Sequence, residues 1–207
     1  MTRNPRAGRT AVGRFSVVAA VAAALLASSA VTATAAPDDR SQSRTAANAA
    51  KRLDMTMQAQ QRSNWCWAAA GNTAAAWFGK YYTQNQFCNA AFDRVQGYDC
   101  PNSQATLGNV QTGLSWAGVS PGSYVSGWLY YGTVQNEINA NRPIETRIQW
   151  SSGGGHMHLL YGYDTADNWV YWGDPWPDSH RYNWASHDWY VDNYEFSWTH
   201  SLYRIGA

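Results

Sequence analysis

Few residues in this chain have the types and spacing that chemistry requires. Cys66 stands between Trp65 and Trp67 in the stretch QQRSNWCWAAAGNTAAAWFG, Gln60 to Gly79. Alanine has the best helix propensity, and its small side chain lets a helix lie close to its neighbours. The stretch therefore predicts a helix beginning at or near Cys66. Free backbone N–H groups and the positive end of the helix dipole stabilise an anion there, which favours the thiolate, the nucleophilic form of cysteine. A cysteine between two indoles also suits plain packing, since cysteine is among the most buried residue types. The rest of the chain decides between the two.

A thiol nucleophile needs a base, and the base needs an orienting group. His156 follows Gly153-Gly154-Gly155, and Asp174 lies in the turn GDPWP. If Gly162 to Trp169 is a hairpin connection, the start of one strand and the end of the next lie side by side, so the two side chains come within hydrogen-bond reach. Asp174 would then set the imidazole tautomer and support its positive charge, while Pro175 stiffens the turn. His158 shares a strand face with His156. Asp164, Asn168 and Asp178 are alternatives to Asp174. His180, His187 and His200 sit in aromatic strand or turn surroundings that suit structural or exposed roles.

The elements that must position these groups follow from pattern. Thr106 to Gly118 and Thr133 to Asn141 read as helices, the second with Thr133 as its cap. From Ile144 to Trp150 the apolar period becomes two, a half-buried strand with Glu145, Arg147 and Gln149 on its other face. Further strands are predicted at His156 to Asp164, Trp169 to Trp172, Tyr182 to Trp184, Trp189 to Val191 and Phe196 to Ile205. Helices first and strands second predict an α+β domain, with helices on one side of a cleft and an antiparallel sheet on the other.

Residues 1–35 read as a secretory signal. Arg3, Arg6, Arg9 and Arg14 precede an apolar run from Val17 to Ala30, and Ala33-Thr34-Ala35 fits a cleavage site. Residues 36–54 are polar and lack periodicity, so they read as a flexible lead-in or short pro-segment before a domain at 55–207. The chain is expected to be secreted. No later run is apolar enough to span a membrane, which excludes a membrane role for the mature form. The formal net charge of +1, with several arginines in the signal, leaves no basic patch for nucleic acid. Of the three cysteines, Cys88 and Cys100 flank a polar loop whose closure by a disulfide stabilises by roughly 3 kcal/mol. Cys66 is then the free thiol.

In combination, NWCWAA, GGH followed by GYD, and a strand ending in DPW resemble the papain-like cysteine peptidases, most closely the secreted bacterial avirulence-effector (AvrRpt-type) branch, related to the bacteriocin-leader peptidases. The resemblance covers roughly Met55 to Ala207. It implies a papain-like fold and a triad of Cys66, His156 and Asp174, with Gln60 donating to the oxyanion. The distance from His156 to GYD selects it over His158, spacing selects Gln60 over Gln58 and Gln61, and the DPW context selects Asp174. Trp65, Trp67 and Gly155 are the expected substrate-binding residues, no cofactor or metal is required, and a monomer acting on a peptide or protein is expected. Asn64 and Trp65 stand where papain itself has Gly and Ser, so the likeness is to the broader clan.

Two other readings use different residues. The aromatic excess, with Trp128, Tyr130 and Tyr131 as candidate exposed rings, fits a glycan- or protein-binding module without catalysis. His156 and His158 with Asp174 provide three ligands for a zinc enzyme.

Overall fold

The alanine-rich stretch folds as helix α1 (Cys66–Trp77), and its residues from Trp67 to Ala75 are buried. The structure, a computed structural model, describes residues 49–207; the expected signal segment and most of the expected lead-in lie outside the described residues. In chain order the elements are β1 (Ala50–Arg52), α1, α2 (Gln84–Ala91), α3 (Leu107–Trp116), β2 (Ser123–Ser126), α4 (Tyr131–Asn139), β3 (Ile144–Trp150), β4 (Gly155–Asp164), β5 (Trp169–Gly173), β6 (Tyr182–Ser186), α5 (His187–Val191) and β7 (Phe196–Tyr203). The strands form one seven-stranded antiparallel sheet in the order β2-β7-β3-β4-β5-β6, with β1 pairing β4 beyond the end of β3. Among the described residues, no helix is long and apolar enough to cross a membrane.

Both faces of the sheet are covered. Met157, Leu159 and Leu202 join Trp67, Ala70 and Leu114 in one core against the N-terminal helices. Ile144, Ile148 and Leu160 join Val134, Ile138 and Tyr190 in a second. Helix α1 approaches its neighbours closely because Gly71 and Gly113 receive the Phe87 ring. A Cβ at Gly71 would lie 2.8 Å from Phe87 Cζ, and one at Gly113 2.7 Å.

Several expectations are corrected. The ordered domain begins before Met55: Ala50–Arg52 pairs with Gly162–Asp164 and Leu53 is buried, so the end of the lead-in is a strand. The segment carrying Cys88 is helix α2 rather than loop, started by a capping box between Thr83 and Gln86. Helix α4 starts at Tyr131, so Thr133 lies inside it. Trp189–Val191 is helical, not extended, because Ser186 accepts the Trp189 N–H and caps a short turn. Strand β3 is not half-solvated: Glu145 is fully buried, since both faces of this central strand carry packed elements. Tyr131, unlike the exposed Trp128 and Tyr130, is tied down by its hydroxyl, which donates to the Asp164 carbonyl at 2.7 Å.

Candidate active site

Cys66 is the first residue of α1, half-buried and free of disulfide, whereas Cys88 and Cys100 are bonded to each other. Trp65, the residue before the helix, offers no side-chain cap. The ladder of the helix opens with Ala69 N–H donating to the Trp65 carbonyl at 2.9 Å, which leaves the N–H groups of Cys66, Trp67 and Ala68 as the orphan donors of a helix start.

The disulfide bears on this placement. Cys100 leads into Pro101, Asn102 and Ser103, and that strip grips both indoles beside the thiol. Trp65 Nε1 donates to the Pro101 carbonyl at 3.0 Å and Trp67 Nε1 to the Ser103 carbonyl at 3.1 Å. Asn64 N–H donates to Asn102 Oδ1, and Asn64 Nδ2 to the Asn102 carbonyl, both at 2.9 Å. Two of the sequence-predicted residues therefore separate. Trp65 and Trp67 are both almost wholly buried, but Trp67, like Gly155, reaches the cleft lining, whereas Trp65 does not and serves as a structural anchor.

His156 sits at the start of β4 and Asp174 just beyond β5, as an antiparallel hairpin requires. His156 Nε2–H donates to Asp174 Oδ1 at 2.7 Å, and the Trp176 N–H donates to the same oxygen at 2.8 Å. The Trp150 ring stacks on His156 at 5.9 Å and Trp176 meets it edge-on at 6.1 Å, so the pair is shielded from water. Burial opposes the imidazolium, but the Asp174 hydrogen bond and the neighbouring Cys66 outweigh it and raise His156 to about 9. Asp174 is also buried; its bond to His156 and the other nearby groups overcome that and hold it below the usual carboxylate range. The sulfur influences the imidazole, yet no hydrogen bond of ordinary geometry closes between them, a looseness common in free enzymes.

His158 is brought to the same place with a different character. Burial and then the adjacent His156 lower it to about 3, so it is neutral. Its Nδ1 meets the Tyr190 hydroxyl at 3.1 Å, while its Nε2 lies 3.7 Å from Asp174 Oδ2 and has no hydrogen bond. The three groups of the zinc reading do converge: one ligand atom from each of His156, His158 and Asp174 lies within 4.8 Å of the others.

Gln60 is not placed as the resemblance implies. Its Nε2 donates to the carbonyls of Arg62 and Ser63, both at 2.9 Å, so both amide hydrogens are spent within the turn that leads to Cys66. The side chain is buried and does not line the cleft. Exchanging its oxygen and nitrogen would set the oxygen against two carbonyls, which fixes this orientation. Gln60 instead ties the walls together, its N–H donating to the Pro175 carbonyl at 2.8 Å.

The cleft has a volume of about 370 Å³ between the α1 start on one side and β3, β4 and the Asp174 turn on the other. Sequence reasoning passed over two of its residues. Trp150, at the end of β3, covers His156, and Arg147 is a cation on the cleft wall. Arg147 donates to Thr199 Oγ1 and Gln149 Oε1, both at 2.8 Å, and it makes no ion pair among the described residues. The absent side chain of Gly155 makes room for it, since a Cβ there would stand 2.7 Å from Arg147 Nη2. A cation on the polar face of a predicted strand was the one available signal.

A cysteine at a helix start facing a buried His–Asp pair across a cleft is the arrangement of a papain-like cysteine peptidase. Residues 49–195 match the family model described as papain-like cysteine protease AvrRpt2, and the chain belongs to that family. A search of curated proteins gave no match. Among solved structures, the peptidase domain of Streptococcus ComA, a bifunctional ABC transporter of a quorum-sensing pathway, is 16% identical, covers 70% of this chain and 95% of its own, and has a TM-score of 0.50. A double-glycine-motif protease from an AMS/PCAT transporter, solved with its leader peptide, is 14% identical over 76% of this chain and 95% of its own, with a TM-score of 0.49. Xylellain, a cysteine protease from Xylella fastidiosa, is 12% identical over 74% and 85%, with a TM-score of 0.49. At such identities the ComA match bears on the fold alone. The family match is what makes this chain a cysteine peptidase.

Proposed function

We propose that this chain is an exported peptidase that cleaves peptide bonds through Cys66, His156 and Asp174. The observation that carries the reading is the 2.7 Å bond from His156 Nε2–H to Asp174, with Cys66 close enough to His156 to influence it. The Cys66 sulfur attacks the scissile carbonyl, and the oxyanion meets the Cys66 N–H at the open start of α1. His156 passes its proton to the leaving amine, which departs and leaves a thioester on Cys66. His156 then takes a proton from water, whose oxygen attacks the thioester and releases the acid product. Asp174 holds the imidazole and balances its charge, and Gln60 supports the turn that presents the Cys66 N–H.

Arg147 adds a preference. A guanidinium with free N–H groups and no carboxylate partner among the described residues suits a carboxylate on the substrate, so peptides with Asp or Glu beside the scissile bond are favoured. Export is supported by the basic start, the apolar run and the small-residue site in residues 1–35, and by a disulfide of the kind that oxidising compartments sustain. The mature enzyme acts as a monomer.

The test is digestion of a proteome-derived peptide library by the exported protein, with cleavage sites read by mass spectrometry. Wild type is expected to generate new termini with acidic residues enriched beside them, and Cys66→Ala to generate none. Equal cleavage by Cys66→Ala would refute the thiol mechanism. The mass of the exported chain, expected to begin near Ala36, tests the signal.

A further inference from the structure

We propose that His156, His158 and Asp174 also form an inhibitory site for a divalent transition-metal ion of the zinc type, reached from the side of the sheet away from the thiol. The inhibitory part rests on the peptidase reading above; the metal site itself does not.

Geometry is the first argument. Zinc with bond lengths of about 2.0–2.1 Å holds neighbouring tetrahedral donors about 3.4 Å apart. Asp174 presents one carboxylate oxygen to each imidazole, Oδ1 at 2.7 Å from His156 Nε2 and Oδ2 at 3.7 Å from His158 Nε2, and one donor atom from each of the three residues lies within 4.8 Å of the others, close to that spacing. The second argument is the orphaned nitrogen. His158 is 2% exposed, and its Nε2 is a buried polar atom without a hydrogen-bond partner, an arrangement that disfavours the empty site. Nothing in the peptidase chemistry uses it.

Third, the outer support is already built. His158 Nδ1 lies 3.1 Å from the Tyr190 hydroxyl, which lies 2.6 Å from Thr146 Oγ1. When Nδ1–H donates to Tyr190 and Tyr190 donates to Thr146, the Nε2 lone pair points toward Asp174. A ligating histidine is commonly held through its other nitrogen in this way. Finally, there is a way in. A groove of about 760 Å³ is lined by His158 and Asp174 themselves, together with Trp172, Asp178 and His180. An ion and a water completing its coordination can enter there without passing Cys66, which lines the other cleft.

On binding, a metal–nitrogen bond forms at His156 Nε2 and the proton held there leaves to solvent. Asp174 turns its charge to the ion. The 2.7 Å bond by which Asp174 orients the His156 ring toward Cys66 is then replaced by bonds to the ion, so the triad that deacylation needs is taken apart.

The experiment has a binding arm and a reactivity arm. Calorimetric titration of Zn²⁺ into Cys66→Ala, which has no free thiol, is expected to show a single site, and adding His158→Phe to weaken it at least about 100-fold. In wild type, Co²⁺ is expected to give tetrahedral d–d absorption without a thiolate-to-cobalt charge-transfer band. Phenylalanine suits the ring neighbours of His158, which include Trp172, Tyr190 and Phe196. If that variant fails to fold, Tyr190→Phe removes only the outer support and is expected to weaken binding about 10- to 100-fold. No binding to Cys66→Ala, affinity indifferent to both substitutions, or a charge-transfer band in wild type would each overturn the site. In the second arm, Zn²⁺ is expected to slow iodoacetamide labelling of Cys66 at least tenfold in wild type and to spare His158→Phe. Binding with unchanged labelling would overturn the inhibitory role. Binding by a protein that cleaves no peptide would sink the peptidase reading and leave the metal site standing.

Discussion

Asp174→Asn tests the site at its most determinate contact. The substitution keeps the shape of the side chain and removes its charge, so the His156 imidazolium loses the bond that does most to raise it. A rise from the ordinary 6.5 to about 9 amounts to roughly 3 kcal/mol in favour of the imidazolium. If the ring only returns to 6.5, the thiolate–imidazolium pair is disfavoured by about that much, or roughly 100-fold. Burial then acts with little opposition and can lower it further. The assay is the rate of iodoacetamide labelling of Cys66 between about pH 5 and pH 9, read by peptide mapping, with the His156 ring titrated by NMR in parallel. Wild type is expected to label rapidly well below neutrality, and Asp174→Asn about 100-fold more slowly near pH 6. An unchanged wild-type profile in a folded variant, with His156 still titrating near 9, would refute the claim that Asp174 sustains the pair.

Other perturbations probe the scaffold. Glu145 is fully buried with both carboxyl oxygens unpartnered, and burial, with some help from Cys66, raises it well above the usual carboxylate range. Glu145→Leu, among Leu159 and Leu202, is expected to stabilise by about 1–3 kcal/mol, read by denaturant unfolding. The sign with pH follows from the two raised groups. Glu145 stays protonated above its unfolded value, so its contribution is full below about 4.5 and is lost as pH rises, while that of His156 is full below about 6.5 and is lost through about 9. Thermal stability should therefore fall from pH 6 to pH 9, less steeply in Glu145→Leu, and a rise over that range would contradict the assignment. Gly71→Ala sets a methyl 2.8 Å from Phe87 Cζ and 2.9 Å from Val110 Cγ1, an overpacking expected to cost about 1–3 kcal/mol in unfolding experiments and to slow Cys66 labelling as α1 shifts. Replacing Cys88 and Cys100 together by Ser is expected to cost roughly 3 kcal/mol and to lower peptidase activity by loosening the Pro101–Ser103 strip around Trp65 and Trp67; full activity would show that the strip holds without the disulfide.

What was legible in the sequence was whatever local pattern controls. Alanine density after Cys66 announced a helix, and α1 begins at Cys66. The change of period after Pro143 marked β3 at its observed bounds, Ile144–Trp150. The spacing of His156 and Asp174 around a turn brought them together because antiparallel pairing converts sequence separation directly into distance. The pairing of Cys88 with Cys100, and the freedom of Cys66, followed from number and spacing.

Other features depend on which segments meet across the molecule, and only the tertiary structure decided them. Glu145 looks outward on the pattern of its own strand, but α1 and a central position in the sheet bury it. Gln60 has the spacing of an oxyanion donor, yet its amide is taken by the carbonyls of Arg62 and Ser63, a competition between hydrogen-bond partners that spacing does not record. Trp65 and Trp67 are alike in sequence and equally buried; Pro101 and Ser103, brought close by the disulfide, hold both indoles, and only that of Trp67 reaches the cleft wall. That, among the described residues, the His158 nitrogen has no hydrogen-bond partner and the Arg147 guanidinium no carboxylate is likewise invisible in one dimension. Period and propensity act between neighbours in the chain, whereas burial and the satisfaction of polar groups are set by distant segments that the fold alone brings into contact.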